Sequence, residues 1–114
     1  MRTFIKNEAL KITKLSNSEF EYFTTHRRGK HNRVLLDISN SIITGPGYPS
    51  KLSIDQLVDL KILKLMKDAG MKLSKMGRLI DKKEDVITHS NDDESLSLCI
   101  YRNKIKQQLL EAIT

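Results

Sequence analysis

Cysteine is nearly absent from this chain. One thiol, Cys99, in 114 residues excludes an internal disulfide and leaves no set of thiolates for a structural zinc site. It suits a reducing compartment, and a cytoplasmic protein is expected. Long apolar runs are missing as well. The longest falls far short of the roughly 20 residues a helix needs to cross a bilayer, so no membrane partner is expected. The opening residues, MRTFIKNEALK, hold no apolar segment of the secretory-signal kind. Catalytic groupings are scarce too. His26, His31 and Asn32 have no accompanying carboxylate cluster, and the only other histidine is His89, which argues against a nuclease metal site or a histidine-based metal site. Neither an acid–base pair, a nucleophile dyad nor a phosphate-cradling glycine loop can be read from the spacing. The expectation is a protein that is not an enzyme and carries no cofactor and no metal.

What the chain has in abundance is charge, and it is unevenly placed. Lys and Arg number 20 against 14 Asp and Glu, for a net charge of +6. Residues 1–33 carry eight basic and three acidic side chains, residues 51–83 nine and four, and residues 84–114 three and six. A basic unit, 1–83, is thus followed by an acidic tail, 84–114. This division suggests a polyanionic partner for the first unit only. A lysine-rich surface that merely stays solvated is the alternative reading.

Residues 52–80, LSIDQLVDLKILKLMKDAGMKLSKMGRLI, carry the densest local signals. Ser53 and Gln56 have capping-box spacing, and Leu52 with Leu57 can close a hydrophobic staple around it. Leu57, Leu60, Leu63 and Met66 recur at helical period, widened by Val58, Ile62, Leu65 and Ala69. Gly70 sits where a helix wants a left-handed residue. Ser74 is expected to open a further helix with Met76, Leu79 and Ile80 inward.

The N-terminal third repeats this grammar. Asn7 to Thr13 reads as a short helix with Ala9 and Ile12 inward. Ser16 and Glu19 form a second capping box, stapled by Leu15 and Phe20. The helix that follows runs from about Asn17 to His26 and buries Phe20 and Phe23. Two short helices joined by about three residues make a helix-turn-helix pattern. Its second helix exposes Asn17, Ser18, Glu19, Glu21, Tyr22 and Thr25. The run His26-Arg27-Arg28-Gly29-Lys30-His31-Asn32-Arg33 comes next, and its cations suit a phosphate backbone. Val34, Leu36 and Ile38 alternate with Leu35, Asp37 and Ser39 as in a strand. Ser39-Asn40-Ser41 supplies turn chemistry and Ile42-Ile43-Thr44 a return strand. Gly45 to Ser50 then break the pattern, as a groove-side loop or a plain connector.

Taken in order over about residues 3–81, this series resembles the MerR-type winged helix-turn-helix family. Leu15-Ser16, the paired aromatics Tyr22-Phe23, and Ser53, Leu57, Leu60-Lys61, Leu65, Gly70, Leu73 and Leu79 carry the resemblance. It departs at Glu21, where the family usually has a phosphate-binding Arg, at Lys14, where a turn Gly is common, and at Leu52, in place of a Tyr. The resemblance implies a mainly α fold with small β content, in which a winged helix-turn-helix domain precedes the tail. It also implies double-stranded DNA as partner and a role in transcription regulation. Asn17, Ser18, Tyr22 and Thr25 would reach base edges. His26, Arg27, Arg28, Lys30, Arg33, Lys51, Lys61, Lys72 and Lys75 would complete the DNA-binding set, with the cations and the Lys64 surface on phosphates.

The tail lacks the long helix with which such regulators pair. Val86 to His89 and Leu96, Leu98 and Ile100 read as two strands around a polar turn at 90–94. Ile105, Leu109 and Ala112/Ile113 mark a short amphipathic helix. Cys99 fits a half-buried strand position. This β-hairpin plus helix either covers the core or pairs with a second copy as a homodimer. Besides the regulator, two binding functions fit the sequence: an architectural, excisionase-like factor that bends DNA, and a protein-interaction module with a basic surface.

Overall fold

The structure, a computed structural model, describes residues 3–25, 34–36, 51–90 and 97–113. Within them the chain is mostly helical, with one small antiparallel ribbon. The order is α1 (Lys6–Thr13), α2 (Asn17–Thr25), α3 (Ile54–Asp68), α4 (Leu73–Lys82), β1 (Val86–Ser90), β2 (Ser97–Tyr101) and α5 (Arg102–Ile113). The basic run at 26–33 and the expected hairpin and connector at 37–50 lie outside the described residues, as does most of the expected turn at 90–94. Ser90, assigned there to the turn, is the last residue of β1.

Local chemistry sets most helix boundaries. Ser16 Oγ accepts from the Glu19 N–H at 3.1 Å, and Glu19 Oε1 accepts from the Ser16 N–H at 2.9 Å. Ser53 and Gln56 exchange the same pair of bonds at 3.2 and 2.8 Å. Each box satisfies N–H groups that a helix start leaves orphaned. The C-terminus of α3 closes as a Schellman turn. Gly70, at φ +80°, donates to the Lys67 carbonyl at 2.9 Å, and Met71 donates to that of Met66 at 3.1 Å. Both methionines are buried, which supplies the apolar contact such turns use. Two lysines also occupy the left-handed region, Lys14 at φ +60° and Lys83 at φ +55°.

Three expectations are corrected. Ser74 does not cap α4: the helix begins at Leu73 with Lys72 at the cap position and no side-chain cap bond. Leu35 and Leu36 do not alternate between two faces, because both are buried in a bend where the Leu36 N–H donates to the Phe23 carbonyl at 2.9 Å. Cys99 is exposed rather than half-buried.

One core runs through all of this. The α3 helix buries Leu57, Val58, Leu60, Ile62, Leu63 and Met66, and α1, α2, α4 and α5 all pack on it. Phe4 and Leu52 exchange backbone hydrogen bonds at 2.8 and 2.7 Å, tying the start of the chain to the entry of α3. Ile87 and Ile100 face each other across the ribbon and join the same core, as do Ile105 and Leu109 of α5. The tail therefore covers α3 in this structure.

Candidate nucleic-acid interface

The geometry of α2 follows from its anchors. Phe20, Phe23 and Thr24 are buried, and the Thr24 hydroxyl donates to the Phe20 carbonyl at 2.8 Å. This fixes the opposite face outward, with Asn17, Ser18, Glu21, Tyr22 and Thr25 exposed. The Tyr22 ring meets Phe23 edge-on at 6.0 Å between centroids, and the Thr25 hydroxyl donates to the Glu21 carbonyl. All four base-edge candidates thus share one surface.

Glu19 does not share it. Its side chain is only 13% exposed, and it reaches down to α3, where Lys64 lies 3.0 Å and Lys67 3.4 Å from Oε2. The Ser16 N–H and both ammonium groups hold its carboxyl at a pKa of about 2, despite the opposing effect of burial. Lys64 is correspondingly pushed up, above all by its hydrogen bond to Glu19. The second carboxylate of α2, Glu21, is met from the other side by Lys6 of α1 at 2.6 Å. Lys6 also lies over the Phe20 ring, 5.2 Å from its centroid. Both carboxylates of the helix are thus neutralised by lysines of its neighbours.

The flanking cations divide. Lys61 is partly buried and donates to the Thr13 carbonyl at 3.2 Å, capping α1. Burial, then its neighbours Lys64 and Lys14, pull it below the ordinary lysine value. Lys72 is exposed at the start of α4, with Lys75 half-buried one turn on and Lys51 half-buried at the entry of α3. His26, Arg27, Arg28, Lys30 and Arg33 fall outside the described residues. Sequence reasoning missed Lys6 and Lys67. Their partners lie 15 and 48 positions away, and no local spacing announces such a pairing.

Among the described residues no group of three or more His, Cys, Asp or Glu could hold a metal ion, and no helix is long and apolar enough to cross a membrane. Comparison with protein-family models, curated proteins and solved structures gives no match in any of the three.

Proposed function

We propose that this protein binds double-stranded DNA with α2 as a recognition helix, in the manner of a MerR-like winged helix-turn-helix regulator. One observation carries the reading. The second of two short consecutive helices, α2, turns a polar face outward, while lysines of α1 and α3 neutralise its two carboxylates. A helix prepared in this way can approach phosphates without bare negative charge. Asn17, Ser18, Tyr22 and Thr25 face base edges. Arg27, Arg28, Lys30 and Arg33, with Lys51, Lys72 and Lys75, supply backbone contacts, and Lys61 contributes to the field from its capping position.

The test is fluorescence anisotropy with a labelled duplex of random sequence, read across about 50 to 200 mM salt. Micromolar binding that weakens steeply with salt is expected. Failure to bind at the lowest salt would overturn the proposal.

A further inference from the structure

We infer that Glu21 reads an exocyclic amino group in the major groove, cytosine N4 or adenine N6, and that Lys6 is the positioning residue for its carboxylate. The inference rests on the reading of α2 as a recognition helix. Ser18, Glu21, Tyr22 and Thr25 recur at i, i+3, i+4 and i+7 and so line one stripe of the helix. Glu21 stands midway along that stripe, on the edge that faces Lys6, with its side chain 48% exposed. A duplex seated on this face has Glu21 within reach.

A carboxylate is acceptor-only, and a phosphate backbone offers it acceptors and negative charge. Base edges are different, because cytosine N4 and adenine N6 present donors in the major groove. A half-exposed carboxylate on this face therefore gains a contact where such a donor lies opposite. The ion pair shapes this choice. Lys6 holds Oε1 at 2.6 Å, while Oε2 has no hydrogen-bond partner among the described residues. One oxygen is clamped and the other is available to accept. The ammonium offsets the repulsion of nearby phosphates, and its place over Phe20 keeps it close to the helix.

The experiment begins with selection of preferred sites from a random duplex library by the wild-type protein. Binding of wild type, Glu21→Ala, Glu21→Gln and Lys6→Ala is then measured on the selected duplex and on every single base-pair replacement. Circular dichroism confirms that each variant is folded. Wild type should lose about tenfold in affinity when one particular C·G or A·T pair is replaced. Glu21→Ala should erase that preference at that position alone and leave the salt dependence in place. Glu21→Gln should shift the same position towards adenine, whose N6 and N7 an amide can engage together. Lys6→Ala should weaken discrimination there without moving it elsewhere. A Glu21→Ala protein that selects the same sequence as wild type at every position would overturn the inference while leaving DNA binding intact. Wild type that binds no duplex would overturn the recognition-helix reading itself, and the inference with it.

Discussion

Arg102 Nη1 lies 2.6 Å from Asp59 Oδ1, joining the first residue of α5 to the middle of α3 across 43 positions of sequence. Lys83 meets the other oxygen of Asp59, and Arg102 Nε donates to the Glu84 carbonyl at 3.3 Å. Asp59 is 3% exposed, and these two cations meet both of its carboxylate oxygens. An arginine opening a helix also faces the positive end of that helix's dipole, and Asp59 offsets this.

Removal of Asp59 should therefore loosen the tail. In Asp59→Ala the largely buried Arg102 loses its counter-ion, and breaking one side of a buried pair typically costs about 3–5 kcal/mol. Lys83, more than half exposed, adds little. Urea unfolding of the variant should show a midpoint lowered accordingly. A change within about 0.5 kcal/mol, the range of an unremarkable surface substitution, would mean that Ile105 and Leu109 hold α5 without help from the charges.

Glu19 makes the fold sensitive to acid. Its pKa of about 2 in the fold lies below the ordinary value of 4.5. The stabilisation is therefore complete above pH 4.5 and is lost as the pH falls through 2, where the folded form also takes up the proton. With screening by solvent around the two lysines, the contribution is on the order of 1 kcal/mol. Glu19→Gln should lose this stability at neutral pH and should converge with wild type near pH 2. Thermal unfolding at a series of pH values checks this. Parallel curves at every pH would remove the ion pairs from the account.

The parts of this fold that were legible in the sequence are those whose causes are local. Ser16 with Glu19 and Ser53 with Gln56 act over three residues, and Gly70 terminates its own helix, so spacing alone locates them. The ribbon was visible through period-two patterning at Ile100 and Cys99, and α5 through Ile105 and Leu109. Legibility ended where the partner is distant. Glu19 looked like an exposed helix residue because Lys64 and Lys67, 45 and 48 positions on, are invisible to periodicity. Asp59 lies among the buried residues of α3, and its partner Arg102 is 43 positions away. Ser74 suggests a cap because a serine before a helical pattern is a frequent signal, whereas α4 begins at Leu73 without any side-chain cap. Of the candidate interface, the exposed positions of α2 followed from periodicity, but the neutralisation of its carboxylates required tertiary structure.

Two backbone positions predict changes of opposite sign. Lys14 closes α1 at φ +60°, a region in which an L-residue is strained by roughly 1–2 kcal/mol. Lys14→Gly should raise stability by about 0.5–1 kcal/mol, the remainder being lost to the greater freedom of glycine in the unfolded chain. Gly70 holds φ +80°, and a Cβ there would meet nothing within 4 Å. Gly70→Ala therefore tests conformational strain without steric contact, and should lower stability by about 1 kcal/mol. Denaturant midpoints measured at constant slope distinguish these effects. If both substitutions moved stability the same way, the left-handed geometry would not be the controlling factor.

DNA binding should respond to charge at two places in different ways. Arg27 and Arg28 follow α2 in the sequence after His26, and in the proposed mode of binding both lie on phosphates. The double variant Arg27→Ala, Arg28→Ala should weaken binding across all sequences and lower the slope of log affinity against log salt by about 2. Glu21→Arg tests the helix face itself. It replaces an acceptor with a cation at the edge of the exposed stripe, beside Lys6, where nearby phosphates would draw it in. Non-specific affinity should rise, and the preference for the wild-type site should fall, because a gain on phosphates is shared by every sequence. Anisotropy titrations on the selected duplex and on a scrambled one read both quantities. Unchanged affinity for both would place position 21 away from the duplex and require a different face of the protein to carry the DNA.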